Sequence, residues 1–329
     1  MGPPPAGVRF CSTCVRVLCQ PLTESVSGAE SIADKRSFVT PSVPHDAAIG
    51  PVIAADGGGS RCRLALDTGH RVHHIEMGAC NLTSDFNQGI RILREGLHLL
   101  SEESAQPLTD IPAVFALAGV VSDDIARQAE TALPLARVRV CEDRLAALRG
   151  ALGKDDGAVL HAGTGSFLAR QQDGRARFAG GWGPQLGDEG SGYWIGREAL
   201  RHGLRVFEKR AAPGDLARWL GAEIGAGPAL IAFARSGSVK SIAALAPCVV
   251  DAAASDPAAG DILSRAATHL ADNLADLSDD LPQRLCLTGG VAPHLEPYLP
   301  SALQARVTAP DGTPLDGALA MARDLAVAQ

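Results

Sequence analysis

Three things are missing from this chain, and each excludes a class of function. No block of Lys and Arg is present: 30 basic residues against 37 acidic ones leave a formal charge of −7, with the cations scattered. A nucleic-acid surface needs clustered cations to displace the counterions of phosphate, so no nucleic-acid partner is expected. No apolar run approaches the ~20 residues that span a bilayer. The N-terminal stretch that could serve as a signal core is interrupted by Arg9 and Arg16. A cytoplasmic protein without a membrane partner is therefore expected. The third absence is a Gly-x-x-x-x-Gly-Lys-Ser/Thr sequence, which excludes a Walker-type phosphate loop.

Paired metal-ligand spacing is also lacking. Of eight cysteines, only Cys11 and Cys14 form a C-x-x-C pair, with Cys19 nearby and no second pair to complete a zinc site. Cys62, Cys80, Cys141, Cys248 and Cys286 stand singly and read as buried thiols. His70, His73 and His74 cluster around a hairpin and read as exposed residues, and His161 as a packed strand residue.

A length of 329 residues suits about two domains. Residues 1–50 are rich in Pro, Ser and Thr without sustained periodicity, which predicts a disordered tail. From Pro51 the pattern changes. Val52–Ala55 reads as a buried strand entering Asp56-Gly57-Gly58-Gly59-Ser60, and Cys62, Leu64 and Leu66 then alternate as a second strand. An Asp67-Thr68-Gly69 turn and a returning strand over 72–75 follow. About a hundred residues later the order repeats: Val159 and Leu160, Gly163-Thr164-Gly165-Ser166, Phe167–Ala169, an Asp173-Gly174 turn, and Ala176–Ala179. Two copies in register imply an internal duplication. Helices are predicted over 89–100, 144–152, 191–206 and much of 228–277, and buried strands over 114–117, 138–140 and 284–287. Alternating strands and helices predict α/β lobes with largely parallel sheets, a first lobe over 51–155 and a second over 156–329.

Glycine loops after strands bare backbone N–H groups to phosphate oxygens. Here each loop leads into another strand, which excludes a Rossmann reading, since that needs a helix next. Ser60 and Thr164 supply hydroxyls to phosphate, and Asp56 can hold Mg2+ through its water shell. Asp143 ends a strand at the carboxyl edge of a sheet, where open α/β sheets place ligands, and its carboxylate can take a proton from a sugar hydroxyl during phosphoryl transfer. The segment Gly180-Gly181-Trp182-Gly183-Pro184-Gln185-Leu186-Gly187-Asp188-Glu189-Gly190-Ser191-Gly192 can fold over a small polar ligand, with Trp182 against a sugar face and Asp188 on its hydroxyls.

These residues, with Cys80-Asn81-Leu82, Leu117-Ala118-Gly119, Thr288-Gly289-Gly290 and Leu315-Asp316-Gly317-Ala318, resemble the N-acetylglucosamine and glucosamine kinase branch of the BadF/BcrA ATPase-like family. The resemblance runs from about residue 51 to the end. It implies α/β architecture with two ribonuclease H-like, actin/hexokinase-type lobes and an active-site cleft between them. It also implies ATP and Mg2+ as cofactors, a homodimer, and a last helix that packs back on the first lobe. Asp143 matches the catalytic base. Gly58, Gly59, Ser60, Thr164, Gly165, Gly289 and Gly290 match nucleotide positions. Asn81, Leu82, Ser166, Phe167, Gly181, Trp182, Gly183, Pro184, Gln185 and Asp188 match sugar positions. Ser60 stands where Thr is usual, and Phe167 where a polar residue is common.

Two other functions use the same superfamily. An activator ATPase serving an iron–sulfur dehydratase or reductase needs converging cysteine thiolates, and no core cysteine has a sequence neighbour to supply them. A sugar-sensing regulator needs a helix-turn-helix and a basic face, and the tail offers neither. The expected activity is therefore ATP-dependent phosphorylation of the 6-hydroxyl of N-acetylglucosamine or glucosamine.

Overall fold

The computed structural model describes residues 36–41 and 50–328. Eleven strands are described: β1 Arg36–Pro41, β2 Val52–Gly57, β3 Cys62–Asp67, β4 Arg71–Met77, β5 Ala113–Leu117, β6 Val138–Glu142, β7 Gly157–Ala162, β8 Ser166–Gln172, β9 Arg175–Gly180, β10 Leu285–Thr288 and β11 Val307–Thr308. They form two sheets, ordered β1-β4-β3-β2-β5-β6 and β11-β10-β7-β8-β9. In the first, β2, β3 and β4 form an antiparallel meander while β5 and β6 run parallel to β2. The second repeats this, with β7, β8 and β9 as the meander and β10 and β11 parallel to β7. Both sheets are the ribonuclease H-like arrangement of the actin/hexokinase fold, and the duplicated motif in the sequence is a duplicated topology.

The chain divides into two compact units. One comprises the described residues up to 155 together with 310–328; the other is Asp156–Ala309. The central strands of the first unit are apolar on both faces because helices cover both. Ile53, Leu64, Phe115 and Leu117 face helix Phe86–Ser104, whose Leu93, Leu97 and Leu100 repeat at helical spacing. Ala54, Ala65, Val114 and Ala116 face helices Asp143–Leu152 and Pro314–Val327. Those two helices meet at glycines: a Cβ on Gly317 would lie 2.0 Å from the Ala146 carbonyl oxygen, and one on Gly150 would lie 2.1 Å from that of Thr313. The last helix is tied to β3 by an ion pair between Arg323 and the fully buried Asp67.

The second unit carries its core on the helical stretch between β9 and β10, where Trp194, Leu216, Leu263 and Leu270 pack on Leu160 and Leu168. The stretch read as one helical region from 228 breaks into Pro228–Ser236, Val239–Ala243, Ala246–Ala252 and Pro257–Ala275. The last break falls at Asp256-Pro257, where Asp256 caps the next helix and proline opens it.

Six residues of the expected tail are not disordered. Arg36–Pro41 pair antiparallel with β4, and Phe38 stacks on His74 at 4.5 Å between ring centroids. Edge pairing satisfies their backbone without a hydrophobic period, which is why composition did not show it. The rest of the expected tail, with Cys11, Cys14 and Cys19, lies outside the described residues. Among the described residues, no single helix is long and apolar enough to cross a membrane.

Candidate active site

Strand register assembles the first unit's candidate residues. Gly57 on β2 aligns with Leu117 on β5, and Leu117 aligns with Glu142 on β6. The residues that follow these three strand ends, Gly58, Ala118 and Asp143, therefore lie along one carboxyl edge. Asn81 joins them through a parallel bridge to Ala118.

The first glycine loop is a tight turn in which the Gly58 N–H donates to the Arg61 carbonyl at 2.9 Å. Gly57 is needed by the fold, because a Cβ there would lie 2.7 Å from Leu117 Cδ2. Gly59 is not: a Cβ would meet nothing within 4 Å, and its φ is not positive. The fold gives no reason for glycine at 59, whereas a ligand that approaches the bare backbone does. Ser60 beside it is exposed.

Asp143 opens helix Asp143–Leu152, and its carboxylate accepts a hydrogen bond from the Arg144 N–H. Burial, then repulsion from the carboxylate of Asp56, pushes its pKa up to about 6 from 3.8, and Arg144 opposes both. The neighbouring Glu142 is paired with Arg144, whose Nε donates at 2.9 Å, so the two adjacent carboxylates have different surroundings. Asp56 is ion-paired with Arg63 of β3, a partner that inspection of the motif alone missed. Its signal was the hairpin itself: Gly57 opposite Cys62 places Asp56 opposite Arg63.

Asn81 and Leu82 part company. The Asn81 Oδ1 accepts from the N–H groups of Thr83 and Ser84 at 3.0 and 3.1 Å, an Asx turn. That turn presses on Gly119, whose φ of +81° and lack of a Cβ admit Asn81 Oδ1. Leu82 is 3 % exposed and packs against Gly89, so its side chain belongs to the core and not to a ligand surface.

In the second unit, β7 and β10 align Thr288 with His161, and the Val291 N–H donates to the Ala162 carbonyl at 2.9 Å. Gly289, at φ +84°, sits where a Cβ would lie 2.4 Å from that carbonyl oxygen, and Gly290 is open. The Gly289-Gly290 turn is thereby set beside Gly163 and the second glycine loop. Thr164 is exposed, and its carbonyl accepts from Tyr193 N–H at the start of helix Gly192–Phe207. His161, held down to about 4 by burial, is neutral at pH 7; it stacks on Phe167 at 4.8 Å and bonds Thr288 Oγ1 at 3.1 Å.

The 181–192 segment is held from within. Asp188 is buried at φ +62°, and its carboxylate accepts N–H groups of Ser166 and Gly183. Gly165 permits this approach, since a Cβ there would lie 2.9 Å from Asp188 Oδ2. Burial raises the Asp188 pKa, and the two N–H donors oppose the shift. Ser166 is likewise committed: its Oγ donates to the Glu189 carbonyl at 2.8 Å. Phe167 is buried in the stack with His161. Of the residues matched to sugar in this unit, Asp188 and Ser166 build the loop and Phe167 packs on His161, while Gly181, Trp182 and Gln185 are exposed and Gly183 and Pro184 are half-buried.

Asp56, ion-paired with Arg63, and Asp143 set two carboxylates beside a bare glycine backbone. That donor set suits a hard divalent cation with bound waters, so the residues present fit Mg2+.

Comparison with known proteins accords with this geometry. The chain is similar to an N-acetylmuramic acid/N-acetylglucosamine kinase from Clostridium acetobutylicum, 32% identical over 171 residues that cover 48% of this chain and 55% of that protein. It thus spans about half the length of that relative. A glucosamine kinase from Vibrio cholerae is 23% identical over 281 residues, 82% of this chain and 95% of the relative. A crystal structure from Chromobacterium violaceum, described as a candidate N-acetylglucosamine kinase, superposes with a TM-score of 0.75 at 29% identity, covering 84% of this chain and 99% of that one. The model of the BadF/BadG/BcrA/BcrD ATPase family matches residues 55–309, and the chain belongs to that family.

Proposed function

We propose that the protein is an ATP-dependent hexosamine kinase that transfers the γ-phosphoryl group of ATP to the 6-hydroxyl of N-acetylglucosamine or glucosamine. The observation that carries this reading is Asp143: a half-buried carboxylate at a sheet's carboxyl edge, on a helix N-terminus, beside a ligand-ready glycine turn. With a pKa near 6 it is about nine-tenths ionised at pH 7. It accepts the hydrogen bond of the sugar hydroxyl and takes its proton as the oxygen bonds to phosphorus and the bond to the ADP oxygen breaks. The proton then passes to solvent, leaving sugar phosphate and ADP.

Gly58, Gly59 and Ser60, with Thr164 and Gly165, hold the phosphates, and the Gly289-Gly290 turn holds the adenosine. Asp56 would hold Mg2+, and the bound cation would supply charge neutralisation at the phosphates. Asn81, its Oδ1 committed to the turn, meets the sugar through its amide nitrogen, and Trp182 covers a sugar face. Asp188 acts by holding the loop that carries Trp182 and Gln185. The protein is expected to act in the cytoplasm as a homodimer. The homodimer is checked by light scattering of the purified protein.

The activator-ATPase alternative is disfavoured by a positive observation. Cys62, Cys80, Cys141, Cys248 and Cys286 are all buried within the cores of their own units, where none can offer a thiolate to a shared cluster. The decisive product test is phosphorus–proton correlation spectroscopy of the reaction with Mg·ATP. A phosphate coupled to the C6 protons is expected. A phosphate on the anomeric carbon, or inorganic phosphate alone, overturns the reading.

A further inference from the structure

Asp56, Arg63 and Glu76 occupy one row across β2, β3 and β4, since Asp56 faces Arg63 and Arg63 faces Glu76 in register. Directly opposed residues of an antiparallel pair point to the same face. Arg63 thus lies between two carboxylates, yet pairs with Asp56, the one that adjoins the glycine loop; Glu76 has Arg61 at 3.9 Å. The pairing is held at a cost, because the Arg63 Nε is buried without a hydrogen-bond partner. An arginine serving only solubility would keep its guanidinium in water. This one surrenders part of its hydration to stay on a carboxylate beside the phosphate-binding backbone.

We infer that Arg63 is a positioning residue, the built-in counter-ion of Asp56, and that it sets how strongly the first glycine loop discriminates Mg2+-bound from metal-free ATP. This rests on the kinase reading above. A bare Asp56 carboxylate would repel the four negative charges of free ATP far more than the Mg2+ complex, whose charge is halved and whose cation it attracts. Paired with Arg63, the same carboxylate presents little net charge to the phosphates and keeps a fixed direction on the sheet. Arg63 acts through Asp56 and touches no reacting atom.

The test is calorimetric titration of the full chain with ATP in excess EDTA and with Mg·ATP, read as the ratio of the two dissociation constants. Arg63→Gln is expected to raise that ratio about tenfold, mainly by weakening free ATP, while Arg63→Lys keeps the charge and stays near the wild-type ratio. Asp56→Asn, which leaves Arg63 facing the phosphates alone, is expected to lower the ratio about tenfold, and it carries the test should Arg63→Gln fail to fold. An unmoved ratio in the folded variants, or equal weakening of both nucleotide forms, overturns the inference while leaving the kinase reading in place. Wild-type protein that binds neither form brings down both.

Discussion

On the kinase reading, Asp143 links chemistry and stability in one carboxylate. Its folded pKa of about 6 lies above the ordinary 3.8, so the folded chain holds this proton more tightly than the unfolded chain. Below about pH 3 neither state is appreciably ionised and the site costs nothing. As pH rises through the window from 3.8 to about 6, keeping the buried charge becomes unfavourable, by about 1–2 kcal/mol after allowance for partial exposure. Asp143→Asn should therefore melt a few degrees higher than wild type at pH 8 and equally at about pH 3, while kcat falls by roughly two to four decades. Wild-type kcat/KM should lose its activity as pH falls through about 6. Thermal melts and a pH–rate profile check both. Gly59 makes the converse case. Its missing Cβ has no neighbour within 4 Å, so Gly59→Ala should leave the melting temperature unchanged and raise the KM for ATP about tenfold or more.

At the scale of elements, the 181–192 loop depends on Asp188 in two ways: as acceptor for two N–H groups and as a non-glycine residue at φ +62°. Asparagine tolerates that backbone and keeps one acceptor, whereas alanine keeps neither. Steady-state kinetics should show the KM for sugar rising a few-fold in Asp188→Asn and about tenfold or more in Asp188→Ala, with the KM for ATP unmoved in both. What the sequence revealed at this scale follows from local signals. Glycine clusters interrupting apolar strands marked both glycine loops, and the helical repeat of Leu93, Leu97 and Leu100 marked its helix. Non-local pairing was less legible. β11 has only two residues, too few for any period, and β1 is held by its neighbour strand. The structural use of Asp188, Ser166 and Leu82 depends on what lies across the fold from them, which motif matching does not report.

For the whole molecule, one duplicated topology carries two different loads. The first unit presents Asp56, Asn81 and Asp143 at one edge, and the second presents Thr164, the Gly289-Gly290 turn and the Trp182 loop. The first unit is completed by residues from the far end of the sequence, through the contact at Gly150 and Gly317. Gly317→Ala, whose Cβ would lie 2.0 Å from the Ala146 carbonyl oxygen, should lower stability by about 3 kcal/mol in denaturant unfolding. The central claim is that these two edges serve phosphoryl transfer to an amino sugar. Its most direct test is ADP release from Mg·ATP, coupled to an indicator reaction, with N-acetylglucosamine, glucosamine, N-acetylmannosamine, N-acetylmuramic acid and glucose compared. Release should depend on sugar, be faster with N-acetylglucosamine or glucosamine than with glucose, and be lost in Asp143→Asn. ADP release that proceeds equally without sugar, or that survives intact in Asp143→Asn, would contradict that claim.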